Sequence, residues 1–291
     1  MQPRSNCESV PHGGFDTTWQ ELSLPCAQGS LALWHQAPQK SSEKPPILFL
    51  HGIFVGAWCW EHFLGDFAQH GWEGFAVSFR GHGNSVADGV FGLQDFVDDA
   101  QQAVDYIVQT TGKQPVVVGH SMGGLVLQRL MAQTKLAAAV LLCSMPPQGL
   151  LPLAWSNWCL QPWDTAVLGM LMQQHKSPDD EQLQHALFSQ AIAPELLSQY
   201  VQKLVPESDK LWWQLCQGAP FSPWLRRCPV AVIAASEDAL VPQTISNLTA
   251  LSYAKTLVTL SGFGHGVMLE RDWLQAACVL RETIESLLQE T

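Results

Sequence analysis

The 291-residue chain is poor in basic side chains: 15 Lys and Arg stand against 26 Asp and Glu, for a formal charge of -11. Nucleic acids and anionic membrane surfaces are held through clustered Lys and Arg, so this balance points away from both as partners. No run of eighteen apolar residues occurs, which argues against an integral membrane segment. The opening stretch, Met1 to Glu8, is polar and lacks the apolar centre of a secretory signal, so the expected location is the cytoplasm. The eight cysteines include no Cys-x-x-Cys pair and the ten histidines form no ligand pattern beside them, so no metal and no cofactor are expected. Cys143 and Cys278 fall in apolar elements, where a free thiol behaves as a small hydrophobe, and a reducing compartment is the simpler expectation. No repeat of 20 to 50 residues is visible.

Hydrophobic residues nonetheless make up 47% of the chain, enough for one large α/β domain carrying an insertion. The stretch around which the rest can be read is Gln114 to Gln133. Pro115 to Val118 is a short β-branched run of the kind a strand covered on both faces shows. From Leu125, the residues Leu125, Val126, Leu127, Leu130 and Met131 recur at helical spacing. Gly119-His120-Ser121-Met122-Gly123 must therefore reverse the chain within five residues. Gly119 and Gly123 let strand and helix approach closely while Ser121 occupies a strained backbone position at the tip. This Gly-x-Ser-x-Gly elbow, with its flanking strand and helix, resembles that of the α/β-hydrolase family.

Elsewhere, Trp19–Leu24 and Leu31–His35 read as a hairpin, and Ile47–Leu50 as a buried strand ending at His51-Gly52. Gly74–Phe79, Ala137–Cys143, Pro229–Ala235 and Thr256–Leu260 are further strands. Helical patterns occupy most of Phe54–His70, then Leu93–Val108, Pro242–Leu251 and Glu270–Gln289. Such alternation demands right-handed crossovers and a mostly parallel central sheet flanked by helices. Residues 1–16 read as a loose leader, and residues 17–145 and 224–291 as the α/β core. Between Pro146 and Pro223 the strands stop. Helix starts appear instead at Ser177-Pro178-Asp179-Asp180-Glu181, at Pro194-Glu195 and at Pro206-Glu207-Ser208. The resemblance implies that residues 146–223 form a helical cap.

A serine hydroxyl needs a base to take its proton, and the base needs a third group to hold its tautomer. In the family the order is Ser, acid, His. Gly262-Phe263-Gly264-His265-Gly266 follows the last strand on a glycine-rich turn, which makes His265 the expected base. Ala234 to Pro242 resembles the family stretch in which Asp precedes a Val-Pro pair by three residues, which selects Asp238 over its neighbour Glu237. The family meets the oxyanion with two backbone N–H groups, here Met122 after the nucleophile and Ile53 after His51-Gly52. His51-Gly52-Ile53-Phe54-Val55-Gly56-Ala57-Trp58 is similar to the loop of small esterases and hydroxynitrile lyases, with His51 itself read as a residue that hydrogen-bonds the loop. Arg80 to Ser85 also matches the family and is read as structural.

Six of the twelve tryptophans (Trp155, Trp158, Trp163, Trp212, Trp213 and Trp224) fall between Pro147 and Trp224. The commoner fate of such rings is packing, but Trp155, Trp158, Trp212 and Trp213 are candidate walls of an apolar pocket. The resemblance implies a serine esterase acting on a small apolar ester, without cofactor, and says nothing of oligomeric state. Carbon–carbon bond hydrolases, hydroxynitrile lyases and cofactor-free haloperoxidases keep the same triad and stay open. So does a receptor-like member that binds a ligand and changes cap shape. A serine at position 121 argues against haloalkane dehalogenases and epoxide hydrolases, which use an Asp.

Overall fold

In the computed structural model, residues 18–40, 42–150 and 180–290 are described. Their strands are β1 (Gln20–Cys26), β2 (Gly29–Gln36), β3 (Ile47–Leu50), β4 (Gly74–Val77), β5 (Val86–Ala87), β6 (Val116–His120), β7 (Ala138–Leu142), β8 (Val230–Ala235) and β9 (Leu257–Leu260). All join one sheet in the order β1-β2-β4-β3-β6-β7-β8-β9, with β5 paired to β2. β1, β2 and β4 run antiparallel in turn, and every pair from β4 to β9 is parallel. This is the architecture expected of an α/β-hydrolase core. The two-residue β5 has no sequence signal of its own, being too short to show a period.

Helices cover both faces, which is why the central strands are apolar without alternation. Side chains still divide by parity. Ile47 and Phe49 of β3 pack with Trp60, Phe63 and Ala276, towards α1 (Glu61–Gln69) and α9 (Trp273–Gln289). Leu48 and Leu50 pack with Phe96 and Leu125, towards α2 (Leu93–Thr111) and α3 (Met122–Gln133). α8 (Gln243–Ser252) joins that second face through Ile245 and Ala250. Ahead of α1, residues Ala57–Trp60 form a separate 3₁₀ turn rather than part of one long helix.

Between β7 and β8 the described residues carry helices alone: α4 (Asp180–Leu187), α5 (Pro194–Gln202), α6 (Asp209–Gln217) and α7 (Ser222–Leu225). Pro194 opens α5, where its missing N–H costs nothing. The third helix start resolves onto Ser208, whose Oγ accepts from Leu211 N at 3.1 Å and caps α6. The leader, Ser177 to Asp179 and the tryptophans Trp155 and Trp158 lie outside the described residues. Cys278 is disulfide-bonded, which corrects its reading as a free packing thiol and removes it from the argument for a reducing compartment. No helix among the described residues is long and apolar enough to cross a membrane.

Candidate active site

The strand β6 delivers Ser121 at the carboxyl edge of the sheet, and the turn into α3 is tight in every direction. A Cβ on Gly119 would stand 2.4 Å from Gly123 O, and one on Gly123 would stand 2.4 Å from His51 O. The chain can therefore reverse only with glycine at both places, and Ser121 takes φ 53° and ψ -117°. Holding a serine there costs about 1–3 kcal/mol, which the surrounding packing must outweigh. Met122 is the first residue of α3, so its N–H has no acceptor within the helix.

After β8 the chain turns through Asp238, which is buried and whose Oδ1 accepts from Leu240 N at 3.0 Å and Val241 N at 2.7 Å. These bonds close the turn ahead of Pro242 and fix the carboxylate. Both of its oxygens face His265 Nδ1, at 3.0 and 2.9 Å. A carboxylate only accepts, so Nδ1 carries a proton, and the tautomer this selects for a neutral ring is the one whose lone pair is on Nε2. Glu237, the alternative acid, is exposed and bonded to its neighbour Ser236.

One apolar pocket brings these groups together. Ser121, His120 and His265 line it, with Gly52, Ile53 and Phe54 of the loop after β3. Its wall from the helical insertion is Leu183, Leu187, Phe188 and Leu204. No hydrogen bond joins Ser121 Oγ to the His265 ring among the described residues, and bonds of this kind commonly tighten only when substrate is present. A Cβ on Gly52 would lie 3.1 Å from Ser121 Cβ, so the loop carrying Ile53 packs directly against Ser121.

The tryptophan expectation changes. Trp212 is buried but packs in the core beside Phe54, and Trp213, next to it on α6, is 75% exposed. Consecutive helical residues point about 100° apart, and neither ring reaches the pocket. The insertion supplies leucines and Phe188 instead.

Two further buried histidines beside the site are neutral and structural. His120 Nε2 donates to His265 O at 2.9 Å, and burial followed by the His265 charge pushes its pKa down to about 3. It is a neutral brace for the His265 backbone. Phe79 N donates to His51 Nε2 at 3.0 Å, so His51 Nδ1 holds the proton and donates it to Gly52 O at 2.8 Å. Burial, and then the charge of His82, keep His51 neutral by lowering its pKa well below the usual imidazole value.

The sequence profile of the alpha/beta hydrolase family matches residues 47–277, most of the chain. The chain belongs to the alpha/beta hydrolase family. Among family relatives, it is 34% identical over 107 residues to the non-heme chloroperoxidase CPO-A1 of Kitasatospora aureofaciens, covering 35% of this chain and 38% of that one. It is 30% identical over 111 residues to esterase PIR7B of Oryza sativa subsp. japonica, covering 37% and 41%. The chain thus spans about two fifths of the length of the curated relatives it matches. A thermophilic esterase from Thermogutta terrifontis shares this hydrolase fold with a TM-score of 0.71 at 18% identity, covering 92% of this chain and 99% of that one.

Two polar residues near the site were not singled out from the sequence. Glu270, 1% exposed, accepts from Gly264 N at 2.9 Å and, across in the insertion, from Ser189 N at 2.8 Å, Ser189 Oγ at 3.0 Å and Gln190 N at 3.1 Å. Glu207, 4% exposed, accepts from Phe54 N at 3.0 Å and pairs with His82 Nε2 at 3.0 Å. A buried Glu is rare enough to have been a signal only once burial was known.

Proposed function

We propose that the protein is a serine hydrolase that cleaves carboxylic esters with an apolar acyl or alcohol group, and that the helical insertion is its cap. The observation that carries this reading is the junction of Ser121 on its strained elbow with the buried His265–Asp238 pair at one apolar pocket. The names of the rice and Thermogutta relatives support ester cleavage among the chemistries such a site performs.

In this reading Ser121 Oγ attacks the ester carbonyl and its proton passes to His265 Nε2, while Asp238 holds the proton on Nδ1 and stabilises the imidazolium. The carbonyl oxygen, now an oxyanion, accepts from Ile53 N–H and Met122 N–H. Collapse breaks the ester C–O bond, and the departing alcohol takes the proton from His265. Water then attacks the acyl-serine, giving one proton to His265. A second collapse returns that proton to Ser121 and frees the carboxylic acid.

The chloroperoxidase relative favours a second reading in which hydrogen peroxide replaces water in the deacylation step and a peracid leaves. It uses the same residues. Turnover of p-nitrophenyl esters by wild type, abolished in Ser121→Ala, tests the main reading; a fluorophosphonate should label one serine, mapped to Ser121 by mass spectrometry. Turnover surviving in Ser121→Ala with folding intact sinks it. Peracid release with acetate and peroxide, assayed alongside, ranks the second reading.

A further inference from the structure

The loop that carries Ile53 is pinned peptide by peptide. In a trans peptide N–H and C=O point opposite ways, so the bond from His51 Nδ1 to Gly52 O fixes the direction of Ile53 N–H. The next peptide, Ile53–Phe54, is pinned from the insertion, because Phe54 N donates to Glu207 Oε1 at 3.0 Å. Phe54 O is taken as well, by Val205 N at 2.8 Å. Phe54 has φ 66°, a left-handed backbone that a phenylalanine adopts only when its surroundings impose it. Two residues of the link between α5 and α6, Val205 and Glu207, thus impose it, in the loop whose Gly52 packs against Ser121.

Glu207 in turn is held by His82. The imidazole faces acceptors at both nitrogens, Arg80 O at 3.2 Å from Nδ1 and Glu207 Oε1 at 3.0 Å from Nε2. Both side chains are buried, at 3% and 4% exposure. A carbonyl cannot donate, so Nδ1 is protonated, and one further proton must lie between Nε2 and the carboxylate. The pair is therefore a neutral unit with a fixed orientation, and its outward function is to hold one amide.

We propose that Glu207 is a positioning residue for the oxyanion loop: through Phe54 N–H, and braced by His82, it holds the peptide that follows Ile53 and so, together with the His51 bond to Gly52 O, keeps the Ile53 amide in place. The cap would then take part in stabilising the transition state as well as enclosing the substrate. This inference rests on the ester-hydrolase reading for its kinetic consequence, but its structural content stands apart from it.

The test compares Glu207→Ala, Glu207→Asp and Glu207→Gln with wild type. Removing an oxyanion donor costs about 10²–10³ in kcat, so Glu207→Ala is expected to lose about 10²-fold in kcat for p-nitrophenyl acetate with KM within about threefold. Phe54 N and His82 Nε2 meet the same oxygen, Oε1, so Glu207→Gln keeps the acceptor for Phe54 N–H but loses the charge that His82 pairs with, and it is expected to fall at most about tenfold near pH 7. Glu207→Asp keeps the charge and loses the reach, and is expected to fall at least about tenfold. It also carries the comparison if the alanine variant does not fold. Hydrogen exchange by mass spectrometry should show faster exchange in peptides covering residues 52–55 in Ala and Asp, restored in Gln, with α9 unchanged in all. Loss confined to KM, full activity in Asp, or Gln as impaired as Ala overturns the proposal. If the wild type cleaves no ester, the esterase reading fails alone, and unchanged exchange at residues 52–55 in the alanine and aspartate variants then overturns the positioning role.

Discussion

Two loops flank Ser121, and each is tied to the helical insertion by one buried glutamate, in opposite senses. On the histidine side Glu270 belongs to the core and reaches out, its oxygens meeting only neutral N–H and O–H donors from Gly264, Ser189 and Gln190. On the side of Ile53, the proposed oxyanion side, Glu207 belongs to the insertion and reaches in, meeting an amide and the imidazole of His82. A carboxylate surrounded by neutral donors needs the negative charge and has no use for an extra proton. One paired with imidazole shares a proton and is sensitive to its loss. The same residue type, equally buried, therefore makes one tie that depends on charge and another that depends on protonation.

The largest effect lies on the histidine side. Asp238→Asn should lower kcat about 10⁴-fold, because an amide nitrogen facing Nδ1 selects the wrong tautomer. Glu237→Gln, on an exposed side chain, should do far less. Reversal of the two would mean that the buried pair is not the one that orients the base. Next comes Glu270→Gln, which keeps one oxygen but sets an N–H against donors. It should destabilise the fold by about 1–3 kcal/mol in urea titration. By loosening the turn that carries His265 it should lower kcat/KM by up to about 10²-fold. Since Glu207→Gln is expected to cost about tenfold at most near neutral pH, equal effects from the two glutamine variants would erase the distinction between the loops.

The two ties also mark where the sequence stops being legible. The elbow, Asp238 ahead of Pro242 and the glycines around His265 are patterns written within a few residues of sequence, as where Val241 N bonds Asp238. Glu207 and Glu270 were both visible and both took a local reading, as acids at helix starts. Ser208 is the real cap of α6, and α9 begins at Trp273, which leaves both glutamates free to bond partners 80 to 153 residues distant. Nothing in the residues near Phe54 announces a carboxylate so far along the chain. Trp212 and Trp213 failed as pocket walls for a related reason: composition locates aromatic mass on a helix without saying which way each ring turns.

A smaller, pH-dependent effect separates the ties further. For His82, burial pulls the pKa down, but the hydrogen bond and charge of Glu207, then Arg80 O and Asp99, outweigh it and leave it raised. Its neighbours His51, held neutral, and Arg80, paired with Asp99, complete the titratable surroundings. A histidine with a raised folded pKa contributes stability that is fully present below its unfolded value of about 6.5 and is lost as pH rises through the folded value. The stability of wild type relative to Glu207→Gln should therefore be greatest below about pH 6.5 and decline towards alkaline pH. Thermal unfolding of both proteins from pH 5.5 to 9.5 measures it. A difference that stays constant, or grows with pH, would show that no proton is shared at the oxyanion side.

The smallest effect concerns the wall between the two ties. Leu187 and Phe188 end the insertion's contact with the histidine loop, where Gly266 N donates to Leu187 O and a Cβ on Gly266 would meet the Phe188 ring at 2.7 Å. Leu204 stands beside the oxyanion loop, one residue before Val205. Each methylene of substrate buried against this wall is worth about 0.8 kcal/mol, or roughly fourfold in kcat/KM, until the space is filled. Phe188→Ala and Leu204→Ala should then move the optimum of a p-nitrophenyl ester series, from two to twelve carbons, towards longer acyl chains. Trp213→Ala, on the exposed face of α6, should leave it in place. If the wall belongs to the alcohol side, the same two variants move the optimum of an alkyl acetate series instead. A profile unmoved in both series would mean that these side chains hold the cap against the loops without touching substrate, and would reduce the apolar pocket to packing between the two ties.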